Sequence, residues 1–181
     1  MSDTWMRATK PLKLTVRPAR KSDGKALINL IVALANYEKL APPTPAARKR
    51  LLNDAFGKCP KFKSLLALLD GVPVGYAIYF YTYSSFLARP TLFLEDIFVL
   101  PDCRKRKAGA ALFRACVADA KKNSCGRMEW MVLDWNKLAI GFYDKLGGTQ
   151  LTDWLPYRLI SEQFDGTIRT ASSSISRQIA R

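Results

Sequence analysis

Leu94-Glu95-Asp96-Ile97-Phe98-Val99, followed after four residues by Arg104-Lys105-Arg106-Lys107-Ala108-Gly109-Ala110-Ala111-Leu112, settles what kind of fold this chain adopts. The first half is an apolar strand carrying two carboxylates; the second is a basic loop of small residues that opens a helix. Where strand, loop and helix N-terminus meet, unpaired backbone N–H groups and the positive end of the helix dipole converge, and a phosphate has somewhere to sit. Four consecutive cations reinforce that site. Glu95 and Asp96 are neighbours on a strand, so their side chains leave opposite faces and cannot act as a carboxylate pair. Only one of them can face a substrate, and Asp96 reads as a surface or loop-capping residue.

On either side of this stretch, local signals mark the other elements. Leu12 to Val16 alternates as a first strand, and Ser22-Asp23 then caps a helix with Leu27, Leu30, Ile31, Leu34 and Tyr37 on one face, ending near Leu40. Thr44 before Pro45 starts a second helix that closes near Gly57. Ser64 to Leu69 and Val74 to Tyr83 form a hairpin through Asp70-Gly71, and Leu92 to Val99 extends it to a three-stranded meander. A helix from about Gly109 to Lys122 turns Leu112, Phe113, Cys116, Val117 and Ala120 inward, and Met128 to Leu133 is a short strand parallel to the one before. Asn136 caps a helix to about Leu146, which Gly147-Gly148 terminates, and Leu151 to Ile160 supplies one or two closing strands. The domain therefore spans 12–164, between a flexible segment over 1–11 and a basic, Ser-rich flexible tail over 165–181.

The 181 residues, 49% apolar, suffice for one real core. No run approaches the roughly 18 apolar residues of a membrane span, and Met1 to Arg20 lacks a signal-peptide core, so a soluble, cytoplasmic protein is expected. Cys59, Cys103, Cys116 and Cys125 form no CxxC pair and there is no histidine, which leaves no zinc constellation, and no metal is expected. The missing histidine also removes Ser-His and Cys-His nucleophile pairs, so acid–base chemistry must come from Glu, Asp, Tyr, Lys or ordered water. The net charge of +14 attracts polyanions. A nucleic-acid partner is nevertheless disfavoured, because the aromatics are not interleaved with the cations of 48–63 and 104–107 as stacking platforms would be.

The order of elements, Leu94 to Val99, the basic loop, Val132-Leu133-Asp134-Trp135-Asn136 and Gly141-Phe142-Tyr143 together resemble the GNAT superfamily of N-acetyltransferases. Over about Leu14 to Ser161 the chain is most similar to the diamine (spermidine/spermine) and thialysine acetyltransferases, with Tyr37-Glu38 and Tyr81-Thr82-Tyr83 in agreement. The resemblance implies an α+β fold, the GNAT acyl-CoA N-acyltransferase fold, with a mixed, mostly antiparallel sheet of six to seven strands and helices on both faces. It implies acetyl-CoA as co-substrate, a small-molecule primary amine as acceptor, and a homodimer.

It also implies site residues. The pyrophosphate signature Arg/Gln-x-x-Gly-x-Gly/Ala can be counted two ways. From Arg104 it keeps the spacing to Glu95 and Trp135 without gaps but puts Lys107 where the first Gly belongs; from Arg106 it gives Arg106-x-x-Gly109-x-Ala111 at the expense of two compensating gaps. The gapless count is preferred, and it asks Lys107 for a backbone conformation usually left to glycine. The cofactor-binding set is then Ile97, Phe98 and Val99 along the strand, Arg104, Lys105, Arg106, Lys107, Ala108, Gly109 and Ala110 in the loop, and Asn136, Ala139 and Tyr143 further on. Tyr143 is the expected proton donor to the departing thiolate; a phenol of pKa about 10 is a reasonable acid for a thiolate of about 8.5. Phe142 reads as a core ring. Glu95 is selected to hold the amine and take its proton, through water, while Tyr37, Glu38, Glu129 and Trp130 match positions lining the amine channel.

One departure bears on the acceptor. After Thr82-Tyr83 the diamine enzymes carry an acid and then Trp, whereas this chain has Ser84-Ser85-Phe86, nearer the thialysine branch, and their Glu-Glu-Gly-Trp segment is replaced by Thr152-Asp153-Trp154 and Tyr157-Arg158. With fewer carboxylates and a basic surface, a small amine or amino-acid derivative suits the chain better than a long polycation. Transfer to a protein Lys or N-terminal amine is the runner-up within the class, and a nucleic-acid module or a non-catalytic CoA binder lies outside it.

Overall fold

The computed structural model describes residues 12–168 and divides after Met131 into two compact units. The first unit is built on a five-stranded sheet whose strands lie side by side in chain order: β1 (Leu14–Pro18), β2 (Lys63–Leu69), β3 (Val72–Ser84), β4 (Arg89–Val99) and β5 (Arg127–Trp130). β1 to β4 run antiparallel, and β5 runs parallel to β4 because a helix over Ala108–Lys122 carries the chain back between them. The Asp70-Gly71 hairpin forms as the dipeptide predicts, with φ of 46° and 85°, the left-handed pair that matches strand twist.

Helices α1 (Gly24–Tyr37) and α2 (Pro45–Phe56) precede β2, and α3 is the crossover helix Ala108–Lys122. Leu27 and Leu30 of α1 pack on Leu66, Leu68, Tyr76, Ile78 and Phe98, which strand alternation places on one face of the sheet. The other face carries α3 through Leu112, Phe113, Cys116 and Ala120. With both faces covered, all of Ser64 to Leu69 is buried, which is why β2 reads as an unbroken apolar run. Two polar clamps fix the layers. Asp23 binds Arg17 at 2.6 Å and accepts the Arg20 N–H, which holds its carboxyl down at about 2 and ties β1 to the start of α1. On the α3 face, Lys63 reaches Asp119 at 3.0 Å; burial would raise the Asp119 carboxyl, but hydrogen bonds from Tyr81, Lys63 and Tyr79 hold it below its ordinary range.

Helix starts follow the sequence. The Thr44 hydroxyl accepts the Ala47 N–H with Pro45 at the first helical position, and the Asn136 side chain accepts the Ala139 N–H at 3.2 Å to open α4 (Lys137–Lys145) in the second unit. Gly147, at φ 83°, ends α4 in the left-handed conformation that glycine tolerates.

Two expectations need correction. The sheet has five strands among the described residues, not six to seven, and Leu151 to Ile160, bent at 152–153, pairs with none of them. Pro156 in its middle lacks an N–H for a ladder, and Trp154, Leu155 and Tyr157 stay largely exposed, so alternation alone does not make a strand without a partner. β5 ends at Trp130 rather than Leu133, because β4 bends away from it beyond Leu94. Of the segment expected as tail, 165–168 belong to a helical turn that begins at 164; the remainder of it, 169–181, and the expected segment 1–11 lie outside the described residues.

Candidate active site

The register of β4 creates the site. Ile78 pairs with Asp96 and Tyr79 with Leu94, so Glu95 is an extra residue in β4, a bulge that bends and twists the strand. Pairing with β5 stops at the same point, the last pair being Leu94 with Trp130. From Glu95 to Val99, β4 therefore hydrogen-bonds to β3 on one edge and has no strand on the other among the described residues. The Leu100 N–H donates to Val74 O, so the carbonyl of Val99, in the same peptide, points out of the open edge. Such an edge offers main-chain groups of Ile97 and Val99 to an extended, amide-bearing ligand, with the Val99 carbonyl already accepting from Arg104 Nε at 3.1 Å.

β4 leads through Pro101–Cys103, a 3₁₀ turn, into the basic loop. Lys107 stands at φ 66°, ψ 2°, the left-handed conformation that the Arg104 count demands of it, and α3 starts one residue later at Ala108. Lys105 is left-handed as well, at φ 60°. For residues with a Cβ this conformation costs about 1–2 kcal/mol each, strain of the kind that collects at ligand-binding turns. Among the described residues no side chain caps α3, so the N–H groups of Ala108, Gly109 and Ala110 are open to an outside acceptor, with the exposed cations Lys105, Arg106 and Lys107 around them. The loop thus fits a pyrophosphate.

On the α1 face of β4 the structure gathers acids. Glu38 follows α1, Glu95 is exposed on the bulge, and Asp96 is turned inward, where the fully buried Tyr76 hydroxyl donates to its Oδ2 at 3.1 Å. Asp96 is therefore not the surface or capping residue expected. Burial pushes its carboxyl up to about 6, helped by the charges of Glu95 and Glu38 and opposed by the Tyr76 hydrogen bond. Burial also raises Glu38, and raises Tyr76 further with Asp96 beside it. A carboxylate titrating near 6 is a better base at neutral pH than an ordinary one. Sequence reading missed this pair because Tyr76 lies among apolar strand residues; the one signal was a phenol inside a core run, which needs a partner when buried.

The other expected residues separate. Tyr37 lies beside the acids, its ring 6.2 Å from Phe98. Phe98 itself is core and its main chain faces β3, as the Leu100 N–H two residues on does, so the open edge is supplied by Ile97 and Val99 and the expected Phe98 contact is not in place. Trp130 packs edge-on against Phe113 of α3 at 5.4 Å, on the far face of the sheet, whereas Glu129 pairs with Arg127 at 2.9 Å. Arg104 is drawn out of the loop: its Nε donates to Val99 O at 3.1 Å and its guanidinium lies 4.7 Å from the Tyr37 ring centre and 5.8 Å from that of Phe98. In the second unit, Asn136 and Ala139 form the cap of α4, and half-buried Tyr143 stands edge-on to Phe142 at 5.3 Å. Among the described residues no three His, Cys, Asp or Glu form a group able to hold a metal ion.

Residues 31–148 match the acetyltransferase (GNAT) family. A mouse thialysine N-epsilon-acetyltransferase is 34% identical over 158 residues, covering 81% of this chain and 92% of its own. An Arabidopsis thaliana L-ornithine N5-acetyltransferase is 38% identical over 95 residues, 52% of this chain and 42% of the other. Among solved structures, an aminoglycoside N-acetyltransferase in complex with CoA superimposes with a TM-score of 0.64 at 22% identity, over 84% of this chain and 98% of that one.

Proposed function

Because the chain belongs to the GNAT acetyltransferase family and is an N-acetyltransferase, we propose that it moves the acetyl group of acetyl-CoA directly onto the primary amine of a small diamine or amino-acid derivative. The observation that carries this reading is the open edge of β4 beyond the Glu95 bulge, flanked by an uncapped helix N-terminus at one end and acids beneath. The mouse and Arabidopsis relatives, named for thialysine and ornithine, favour an amine of that size.

In this reading Ile97 and Val99, on either side of Phe98, take the pantetheine arm along their main chain. Lys105, Arg106 and Lys107 and the N–H groups of Ala108, Gly109 and Ala110 take the pyrophosphate. Main-chain groups of β4 polarise the thioester carbonyl. The acceptor arrives as an ammonium held by Glu38, Glu95 and the Tyr76–Asp96 pair, and loses one proton to Glu95, with Asp96 beside it, and so to solvent. The neutral nitrogen attacks the carbonyl carbon, a C–N bond forms and the C–S bond breaks. The thiolate takes the Tyr143 proton, which the second nitrogen proton replaces. Among the described residues no activated nucleophile is in place to carry an acyl-enzyme, so transfer within a ternary complex is the simpler route.

The test is calorimetry with acetyl-CoA followed by turnover on L-ornithine, thialysine, short diamines and Lys-bearing peptides. The reading expects acetyl-CoA binding and turnover of at least one small amine; turnover of peptides alone would replace it with protein acetylation. The homodimer belongs to the same reading and is checked by light scattering.

A further inference from the structure

Tyr76 is fully buried in the middle of β3, and its hydroxyl donates to a single atom, Asp96 Oδ2 at 3.1 Å. Burial and the charge of Asp96 hold the phenol well above its ordinary range, so it stays protonated and serves as a donor. The second oxygen of Asp96 is placed differently. Oδ1 accepts no hydrogen bond among the described residues and is not sealed from solvent, which leaves it able to take a proton. The bulge sets Glu95 on the same side, exposed and next to Asp96, where strict alternation would have separated the two. The other groups around the pair are Tyr37 and Glu38 at the end of α1 and Arg104 after β4. The Arg104 guanidinium lies 4.7 Å from the Tyr37 ring centre and makes no ion pair with Asp96 among the described residues.

Burial, Glu95 and Glu38 all push Asp96 towards the neutral acid, and the Tyr76 hydrogen bond alone among these causes opposes them, leaving the carboxyl at about 6. We propose that Asp96, rather than the exposed Glu95, is the group on which the proton of the amine comes to rest, and that Tyr76 is the positioning residue that keeps Asp96 ionised to receive it. This rests on the function proposed above and deepens it. In the step an N–H bond of the held ammonium breaks, Glu95 or a water passes the proton on, and an O–H bond forms at Asp96 Oδ1 while Oδ2 still accepts from Tyr76. The amine is left neutral and Asp96 becomes the neutral acid, which returns the proton to solvent past Glu95. Compared with an aspartate at the ordinary 3.8, a carboxylate at about 6 makes this transfer about a hundredfold less uphill. Without the Tyr76 hydroxyl, the same group would already be protonated near neutral pH and could take nothing.

The test is the pH profile of kcat/KM for whichever small amine is turned over, in wild type, Tyr76→Phe and Asp96→Asn. In parallel, NMR of carbon-13-labelled aspartate follows the Asp96 carboxyl in the substrate-free protein, assigned by its loss in Asp96→Asn. In wild type the acid limb and the Asp96 titration are expected to coincide near pH 6. In Tyr76→Phe both move up by at least one pH unit, so kcat/KM falls at least about threefold at pH 6.5 and returns to within about twofold of wild type at pH 9. Asp96→Asn loses that limb and at least about tenfold in kcat at pH 7.5. Should Tyr76→Phe not fold, a ring-fluorinated tyrosine in place of Tyr76, a stronger donor, is expected to move both down instead. A loss in Tyr76→Phe that is equal at every pH makes Tyr76 scaffold only and overturns the proposal. So does an Asp96 titration below pH 5, or an acid limb that persists in Asp96→Asn. Turnover of no small amine at any pH sinks the function reading and the proposal together, whereas the outcomes above sink the proposal alone.

Discussion

Replacing Asp96 by Asn removes a charge that the fold holds at a cost, and the sign of the effect depends on pH. The carboxyl is raised from 3.8 unfolded to about 6 folded, so folding is penalised wherever the unfolded chain would ionise it. The penalty is absent below the unfolded value, grows as pH rises through 4 to 6 and is constant above that. A displacement of this size corresponds to about 3 kcal/mol at pH 7.5 and a few tenths of a kcal/mol at pH 4. Asn keeps a carbonyl oxygen that can accept the Tyr76 O–H, so the buried phenol stays partnered. The Asp96→Asn protein is therefore expected to melt about 5–10 °C above wild type at pH 7.5 and within about 2 °C of it at pH 4. Differential scanning calorimetry at the two pH values reads this directly. Tyr76→Phe is the opposite control: it leaves the carboxylate without its donor and should destabilise more at pH 7.5 than at pH 4. An Asp96→Asn protein that is less stable than wild type at pH 7.5 would refute the argument, since it would mean that the carboxylate is stabilised where it lies.

Other outcomes follow from single residues. Lys107→Gly should raise stability by about 1 kcal/mol by relieving the left-handed backbone, while weakening CoA a few-fold through the lost charge; thermal unfolding and calorimetry check both, and a loss of stability would contradict the strain at φ 66°. Gly75→Ala should destabilise by at least about 2 kcal/mol in urea unfolding, because its Cβ would stand 2.6 Å from Phe98 O, a main-chain atom that cannot step aside without breaking the β3–β4 register. Tyr143→Phe should leave the Kd of CoA nearly unchanged and cut kcat at least tenfold, and unchanged turnover would remove Tyr143 from proton transfer.

Much of the fold was legible because local chemistry and tertiary structure agree. The Thr44-x-x-Ala47 cap, the Asp70-Gly71 turn, the Asn136 cap and the Gly147 stop each follow from one or two residues whose preferred backbone is the one observed. The apolar run of β2 and the alternation of β3 place the sheet. What was not legible depends on partners distant in sequence. Leu151 to Ile160 has the pattern of a strand and pairs with no strand among the described residues. Trp130 looks like a channel residue and is claimed by Phe113 of α3.

The site divides in the same way. Residue type and spacing along one segment are enough to put acids on the strand, to follow it with a cationic loop that has a glycine-like position at Lys107, and to leave histidine out of the chemistry. Strand alternation by itself sends Glu95 and Asp96 to different faces, and the structure corrects this: with Leu94 paired to Tyr79 and Asp96 to Ile78, the bulge cancels one step of the alternation and brings both carboxylates to the α1 side. What those faces meet is set by the packed fold. The bulge at Glu95 opens the edge of β4, Tyr76 from the neighbouring strand turns Asp96 from a surface acid into a buried one near pH 6, and Tyr37 at the end of α1 draws Arg104 away from the loop. In each case a side chain's charge and direction are set by burial and by a contact across strands, and neither is written in the residue's own neighbourhood.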